Sequence, residues 1–364
     1  MILGHQNDAD ISGRLDAILN KGMQEGVFPG ATLWIGRHGE TIKCSAYGKA
    51  APDGYHLQRP VTITTKTLYD LASLTKVVAT TCVIAQLIEK GLVRLTDTVA
   101  QFIPLFASDQ QKASITIWHL LTHTSGLPSL LLHKEYQGKD NILKGVCQQT
   151  LLFSPGTRYF YTDLGFILLG AIVYIATSLE ISEYAGKYLF APLEMKDTMF
   201  NPPETIWNRV APTEYVPWRG GLVQGHVHDE NAWALDGVAG HAGLFSTVED
   251  LAKFSNMILG CGELAGKSVL EASSIFEMMK PQINFEGNLQ GLGWMINTPS
   301  YMGSLANIDT IGRTGFTGTS IVLNLRHRLA FVLLTNRVCP TRNGPDITPY
   351  RRGIADILAE LCGV

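Results

Sequence analysis

The segment Ser73-Leu74-Thr75-Lys76 has the residue types and the spacing of an activated serine nucleophile. Apolar residues recur at helical spacing after Ser73, which predicts a helix over residues 73–90. Positions i and i+3 share one face of a helix, so the Lys76 amine is expected beside the Ser73 hydroxyl. A desolvated lysine can take the proton of a serine and make it nucleophilic. The same spacing also fits a helix-capping serine followed by a solvated lysine.

Two later stretches add groups that could work with this serine. Tyr161 lies between a Pro-Gly turn and a predicted helix, where its side chain can point into a cleft. The stretch 312–318 has the sequence Gly-Arg-Thr-Gly-Phe-Thr-Gly and precedes a predicted strand. Its glycines allow a ligand to approach the backbone closely, and Arg313 can bind a carboxylate through two parallel hydrogen bonds. Taken singly, Tyr161 also fits a core tyrosine, and the glycine run also fits a bulge before a strand.

The order of these motifs resembles the Ser-x-x-Lys, Tyr-x-Asn and Lys/His-Thr-Gly motifs of one enzyme superfamily. This is the serine β-lactamase and D-alanyl-D-alanine peptidase superfamily, and the closest likeness is to its class C branch. Longer stretches also look like family segments, and they span nearly the whole chain: 68–76, 117–128, 155–170, 191–195 and 240–247. The resemblance implies an α/β (α+β) fold of the β-lactamase/transpeptidase type. In that fold an antiparallel sheet flanked by helices is joined to an all-α domain, with the site between them.

The resemblance also implies a role for each matching residue. Ser73 would be acylated, while Lys76 and Tyr161 would move its proton. The backbone N–H groups of Ser73 and Phe316 would form the oxyanion hole. Four further residues would contact the substrate: Asp163, Arg313, Thr314 and Gly315. Of these, Arg313 and Thr314 would hold a substrate carboxylate.

Two of these positions depart from the family pattern. Asp163 stands where many relatives have asparagine, and an ionised carboxylate can only accept hydrogen bonds. Asp163 could instead pair with Lys76 and hold it as a cation, which would move the role of base toward Tyr161. Arg313 replaces the usual lysine or histidine and cannot relay a proton. Because the two changes add one negative and one positive charge, we expect Asp163 and Arg313 to compensate each other electrostatically.

The motifs together predict a serine hydrolase that forms an acyl-enzyme at Ser73 on an ester, amide or β-lactam carbonyl. It would act as a β-lactamase, a D-alanyl-D-alanine carboxypeptidase or an esterase, on a small molecule or peptide that carries a carboxylate. One alternative is a non-catalytic, penicillin-binding-like sensing or binding module. The presence of Ser73, Lys76 and Tyr161 together argues against it, because a silent relative has no chemical reason to keep all three.

A metal hydrolase is the other alternative. His119 and His123 have the spacing of a helical zinc pair but lack the glutamate base that accompanies it. A second cluster contains His226, His228 and Asp229, with His241 nearby in sequence. In a strand, His226 and His228 would face the same side. No phosphate-binding or dinucleotide glycine pattern follows a predicted strand. We therefore predict neither a metal nor a cofactor.

The elements at the two ends of the chain mirror each other. A helix carrying Ile11, Leu15 and Leu19 precedes a hairpin around residues 37–40, and a second hairpin around residues 326–328 precedes a C-terminal helix. Neither end has enough sheet to stand alone. We expect residues 1–67 and 286–364 to form one α/β domain, with the mainly α-helical segment 68–285 inserted between them and a cleft at the junction.

Composition excludes other classes of protein. The chain has 364 residues, of which 46% are hydrophobic and 17% charged, with a net charge of −3 and no basic stripe. We expect no nucleic acid or membrane partner. The longest apolar run, 164–176, is too short to span a bilayer. Residues 1–10 are polar and lack the pattern of a signal peptide, which predicts a cytoplasmic protein, or a periplasmic or secreted one if a signal has been removed.

Overall fold

Strands from both halves of the chain pair in one eight-stranded sheet. The structure is a computed structural model that describes residues 2–363. Its strands are β1 (Gly30–Arg37), β2 (Glu40–Gly48), β3 (Tyr69–Asp70), β4 (Met199–Phe200), β5 (Tyr215–Val216), β6 (Gly221–Leu222), β7 (Leu244–Ser246), β8 (Glu263–Leu264), β9 (Lys267–Ser268), β10 (Ile283–Phe285), β11 (Asn288–Gln290), β12 (Met295–Ile296), β13 (Thr310–Thr314), β14 (Ser320–Asn324) and β15 (Leu329–Thr335). The large sheet has the order β10-β11-β12-β13-β14-β15-β1-β2, and each neighbouring pair is antiparallel.

Helices cover this sheet and fill the middle of the chain. The α-helices are α1 (Ile2–Gln24), α2 (Cys82–Glu89), α3 (Val99–Phe102), α4 (Gln110–Ala113), α5 (Ile117–Leu121), α6 (Lys139–Gln148), α7 (Leu164–Thr177), α8 (Ile181–Ala185), α9 (Glu230–Ala234), α10 (Val248–Leu259), α11 (Ala272–Met279), α12 (Pro299–Met302) and α13 (Thr348–Ala359). Several 3₁₀ turns and two π-helical segments join them, the latter at Lys76–Thr81 and Gly186–Phe190.

The centre of the sheet is buried on both faces. Strands β1 and β15 pair through their whole length and are almost entirely buried, which explains their continuous apolar sequences. On one face Leu33 and Phe331 pack in a cluster with α1 and α13. On the other face Trp34 and Val332 join the larger core that contains α10 and the middle helices. Alternate side chains of the same two strands therefore hold the two layers of helices together.

These observations confirm the predicted fold class and its terminal elements. The first hairpin, the last hairpin and both terminal helices form where the sequence predicts them. The predicted helix over residues 73–90 does form, but it begins with a 3₁₀ turn at Ala72–Leu74 and continues as a π-helix before α2. Irregular helical turns of this kind are frequent at functional sites.

The middle of the chain is less purely helical than expected. It contains seven short strands, β3 to β9, in three small sheets. Strand β10, within the segment predicted as helical, belongs to the large sheet. The division into two domains at residues 67/68 and 285/286 stays a prediction. One segment, Ala72–Glu89, is apolar and long enough to cross a membrane by composition, but 83% of it is buried inside the fold, as a core helix would be.

We expect the sheet centre to carry a large share of the stability. Leu33 has no exposed surface in β1. Its replacement by alanine leaves a cavity against α1 and α13, so Leu33→Ala should lower the free energy of unfolding by about 2–5 kcal/mol. Leu105→Ala is the matched control because Leu105 is 59% exposed. Urea denaturation of both variants checks this, and a loss in Leu33→Ala no larger than in the control would contradict it.

Candidate active site

A strained backbone turn presents Ser73. The preceding residue, Ala72, has φ of +47°, a region that non-glycine residues rarely occupy. Two side chains hold this turn in place. The Asp70 carboxylate accepts the Ala72 N–H at 2.8 Å, and the Thr75 hydroxyl donates to the Ala72 carbonyl at 2.7 Å. Local hydrogen bonds therefore set the orientation of the turn that carries Ser73, independently of the other catalytic candidates.

Asp70 also joins the serine turn to two distant loops. Its second carboxylate oxygen accepts the His228 N–H at 2.6 Å, and its carbonyl accepts the Thr317 hydroxyl at 2.7 Å. Burial raises the pKa of Asp70 despite the backbone N–H groups of His228 and Ala72, which oppose that rise. This buried carboxyl therefore positions both walls of the cleft around Ser73.

The three catalytic candidates meet at the Ser73 hydroxyl. Ser73 Oγ lies 2.7 Å from the Tyr161 hydroxyl and 3.0 Å from Lys76 Nζ. The i, i+3 spacing places Lys76 there, and Tyr161 comes from the loop before α7. Both distances permit direct proton transfer. The structure thus brings together the three residues that the sequence singled out.

The Lys76 ammonium is enclosed by acceptors. It has no exposed surface, and it donates to Ser73, to Asp163 Oδ1 at 2.7 Å and to the His241 carbonyl at 3.1 Å. Burial lowers the pKa of Lys76, but the charge of Asp163 and its hydrogen bond to the ammonium help to outweigh it, so the pKa is raised overall. Asp163 therefore pairs with Lys76 as expected and keeps it cationic. The same carboxylate oxygen accepts the Tyr161 hydroxyl at 3.3 Å.

Arg313 packs against the Tyr161 ring, and its guanidinium is hydrogen-bonded to other groups of the protein. Its side chain is 2% exposed, with Nη1 donating to the Gly293 carbonyl at 3.1 Å and Nη2 to His123 Nε2 at 3.0 Å. Its guanidinium carbon is 4.9 Å from the centre of the Tyr161 ring. A substrate carboxylate would have to displace these contacts, so the carboxylate-binding role of Arg313 stays a prediction that this geometry does not favour. Arg313 and Asp163 have no direct contact, and they act oppositely on the pKa of Lys76.

His123 is the partner that makes this placement of arginine possible. Burial, followed by the charges of Arg313 and Lys76, holds the pKa of His123 well below its usual range. A neutral imidazole can accept the arginine hydrogen bond, whereas an imidazolium could only donate. The pair His119/His123, weighed above as zinc ligands, is used otherwise: His119 Nδ1 accepts the Thr116 N–H at 3.0 Å and caps α5.

The loop between β13 and β14 packs against the residues that precede Ser73. A Cβ on Gly315 would lie 2.4 Å from the Leu71 carbonyl and 2.1 Å from Thr319 Oγ1, so only glycine fits there. Thr314 ends β13, and Phe316 follows with half of its side chain exposed. The turn of Ser73 and this loop therefore touch, as the proposed oxyanion pair Ser73 and Phe316 requires. Their roles stay predictions.

The structure adds a polar cluster that the sequence analysis missed. Glu214 accepts from Arg342 Nε at 2.6 Å and lies 2.9 Å from His228 Nε2. Arg342 also donates to Glu230 at 2.6 Å, and the Phe316 ring stacks on His228 at 5.7 Å. Burial would raise the pKa of Glu214, but hydrogen bonds from His228 and Arg342 lower it to about 2. No local pattern links residues this far apart, so only tertiary contacts reveal the cluster.

The residues weighed above as metal ligands, His226 and His228, have different partners. His226 packs on the Trp207 indole, while His228 faces Glu214. Within residues 2–363, the donor atoms that lie within 4.8 Å of one another belong to a different trio: Asp163, Asp229 and His241. His241 Nε2 is 2.7 Å from Asp229 Oδ1, and Asp163 already pairs with the Lys76 ammonium. A divalent cation would repel that ammonium, so the trio fits a metal ion poorly.

The fold and this arrangement define a hydrolase of the serine β-lactamase/transpeptidase superfamily. The chain belongs to the Beta-lactamase family, whose family model matches residues 15–356. The predicted superfamily and the predicted class of enzyme are thereby confirmed.

Individual relatives span most of the chain. It is 31% identical over 369 residues to the N-acetylmuramyl-L-alanine amidase of Bacillus subtilis (strain 168), covering 92% of this chain and 82% of that protein. It is 30% identical over 370 residues to a Salmonella schwarzengrund (strain CVM19633) protein, and this match covers 92% of this chain and 85% of that protein. The name of that protein places it, provisionally, among D-alanyl-D-alanine carboxypeptidases. The solved structure of the octameric penicillin-binding protein homologue from Pyrococcus abyssi matches with a TM-score of 0.75 at 23% identity. The match covers 96% of this chain and 77% of that one, which shows the shared fold.

We expect Asp163→Asn to lower activity. The variant loses the charge that raises the pKa of Lys76, so the ammonium should deprotonate at lower pH, and Tyr161 loses an anionic acceptor. The predicted loss in kcat/KM is about tenfold or more, with the alkaline limb of the pH–rate profile moved to lower pH. Asp53→Asn, at an exposed turn, is the control. Unchanged or raised turnover in Asp163→Asn would refute this role.

Glu214 should make stability depend on pH. Its folded pKa of about 2 lies below the ordinary value of 4.5, so its contribution is fully present above about pH 4.5 and is lost as pH falls toward 2. Glu214→Gln should therefore destabilise the protein at neutral pH, with the difference from the parent shrinking below pH 4.5. Thermal unfolding across this range, with the exposed Glu263→Gln as control, measures it. A difference that does not vary with pH would count against the charge–charge explanation.

Proposed function

We propose that the protein is an acyl-enzyme amide hydrolase of the class C type, with Ser73 as its nucleophile. The observation that carries the proposal is the position of Ser73 Oγ between the Tyr161 hydroxyl at 2.7 Å and Lys76 Nζ at 3.0 Å. The proposed substrates are amide bonds of cell-wall-type peptides or glycopeptides. The similarity to an N-acetylmuramyl-L-alanine amidase and to a protein named among carboxypeptidases supports this choice.

The proposed acylation step uses Tyr161 as a relay that passes the serine proton to Asp163, the final proton acceptor. As Ser73 Oγ bonds to the carbonyl carbon, its proton passes to the Tyr161 oxygen, and the tyrosine proton passes to Asp163 across 3.3 Å. The carbonyl oxygen becomes an oxyanion facing the N–H groups of Ser73 and Phe316. When the C–N bond breaks, the proton returns through Tyr161 to the leaving amine. The Lys76 ammonium keeps its proton and stabilises the negative charge that forms.

Deacylation reverses the same path. A water molecule gives its proton to Tyr161 while the tyrosine proton passes to Asp163, and the water oxygen bonds to the acyl carbon. The proton then returns from Asp163 through Tyr161 to the Ser73 oxygen as the ester C–O bond breaks. The product is a carboxylic acid, and the enzyme returns to its starting state. No step needs a group beyond the residues of this site and water.

The alternatives have different consequences. A β-lactamase would open a penicillin and release it quickly, whereas a penicillin-binding peptidase would hold it as a slow adduct. An esterase would act on simple esters better than on amides. A non-catalytic sensing module would turn over none of these, and a metal hydrolase would lose activity on chelation.

Intact mass after mixing with a penicillin, together with assays of muramyl peptides, tests the proposal. We expect Ser73→Ala to lose amide turnover by about 10³-fold or more and to form no penicillin adduct, while Ser108→Ala at an exposed position behaves as the parent. Turnover that survives in Ser73→Ala, or that is lost on chelation with Ser73 intact, would overturn the proposal. Fast loss of penicillin without an adduct would instead identify a β-lactamase.

A further inference from the structure

An exposed group of aromatic side chains lies within residues 207–233. Trp218 is 59% exposed and Trp233 is 38% exposed, and their rings meet at 5.3 Å with an angle of 76° between the planes. Next to them, Trp207 and His226 meet at 5.0 Å and 74°. We call these four residues the aromatic groove. Large exposed aromatic surfaces of this kind usually mark a binding site.

Two cavities open along the aromatic groove. One of about 480 Å³ is lined by Trp207, His226 and Trp233, and one of about 170 Å³ by Trp218, His226 and Trp233. The larger one lies in the size range of small-ligand sites. The backbone is shaped for this opening at Gly225, which has φ of +74° and where a Cβ would lie 2.1 Å from the Trp207 indole. Only glycine at this position lets the indole form the cavity wall.

The other lining groups are planar and polar. Asn201, Gln137 and Asp236 line the larger cavity, and Gln58 and Gln224 line the smaller one. Pyranose rings match this mixture, because they have an apolar face of C–H groups and a rim of hydroxyl groups. The C–H face packs on the electron-rich face of an aromatic ring, and the hydroxyls bond with amides and carboxylates. The Gln224 amide is already bonded to backbone groups. A purely apolar ligand would offer no hydrogen-bond partner to the exposed Asp236 carboxylate or Gln58 amide.

Arg219 fixes the corner of the groove. Its guanidinium carbon lies 5.7 Å from the Trp218 ring centre and 5.2 Å from that of Trp233. It also donates to the Val227 carbonyl at 2.8 Å and to the His228 carbonyl at 3.3 Å. The two tryptophans are therefore held at a fixed angle, so little rotamer entropy is lost when a ligand binds.

The same segment reaches the catalytic residues. The His228 N–H donates to Asp70, which positions the Ser73 turn. Asp229 caps the short helix that carries Trp233, and it bonds His241, whose carbonyl accepts from Lys76. One continuous stretch of chain therefore contacts the active site through its backbone and caps, and forms the groove through its aromatic side chains.

We propose that the aromatic groove binds the sugar of a glycopeptide whose amide bond is cut at Ser73. This inference rests on the proposed function and specifies its substrate: a saccharide-bearing amide, recognised through its sugar ring. Trp218 and Trp233 would be the stacking surfaces, with Asn201 and Asp236 facing the hydroxyl rim.

Calorimetric titration of the full chain carrying Ser73→Ala tests this without consuming the ligand. The probes are N-acetylmuramyl-L-alanyl-D-isoglutamine and its sugar-free counterpart N-acetyl-L-alanyl-D-isoglutamine. We expect the sugar-bearing probe to bind more tightly. Trp218→Ala should weaken the binding of the sugar-bearing probe by about three- to tenfold. The difference between the dissociation constants of the two probes should therefore become smaller. Trp218→Phe, which keeps an aromatic face, should restore most of the difference.

Control variants separate this effect from misfolding and from failure of the proposed chemistry. Phe276→Ala removes an aromatic ring that is 60% exposed on α11 and should bind like the parent. Trp233→Ala repeats the test from the other ring, and thermal unfolding verifies that each variant folds. Equal binding of the two probes, no binding of either, or a difference that survives in both tryptophan variants would overturn the inference. Because binding is measured without turnover, a parent that discriminates the sugar yet hydrolyses no amide would refute the proposed function alone.

Discussion

A lysine ammonium with no exposed surface lies at the centre of this site, and its charge determines what surrounds it. An ammonium has three hydrogens, and Lys76 meets three acceptors: the Ser73 hydroxyl, the Asp163 carboxylate and the His241 carbonyl. A buried cation without such partners would cost several kcal/mol. The acceptors come from one helix, from the loop before another and from the segment preceding β7. Keeping Lys76 charged therefore also keeps these three parts of the chain together.

The two residues that depart from the family pattern are understood best through this cation. Asp163 supplies the counter-charge and raises the pKa of Lys76, while Arg313, behind the Tyr161 ring, acts in the opposite direction. Asp163 and Arg313 therefore offset each other through their opposite effects on the pKa of Lys76, and not through a direct ion pair. An arginine can occupy that buried position because His123 stays neutral and accepts its hydrogen bond. The Tyr161 hydroxyl lies within hydrogen-bonding distance of both Ser73 and Asp163, and its role in moving the serine proton stays a prediction.

Residues 226–241 give the site its surroundings. Within this stretch, His228 meets Asp70 and Phe316 near the serine turn, and Trp233 faces outward to the aromatic groove. Buried hydrogen bonds make the inner side rigid, since any lost partner would leave a desolvated polar group. The exposed aromatic side chains are free of that constraint. The same segment therefore contacts the serine turn and also supplies part of the aromatic groove proposed to bind a sugar.

The sequence by itself determined the elements and the chemistry that depend on local spacing. Apolar runs around polar turns predicted β1 and β15, period-3.6 patterns predicted α1 and α13, and the i, i+3 spacing placed Lys76 beside Ser73. It did not reveal the short strands of the middle, because two-residue strands carry no readable periodicity. Only the tertiary structure decided that Arg313 is buried against His123 and that Glu214, His228 and Arg342 form one cluster. These contacts join residues up to 190 positions apart, and their energies depend on burial and charge that exist only once the chain has folded.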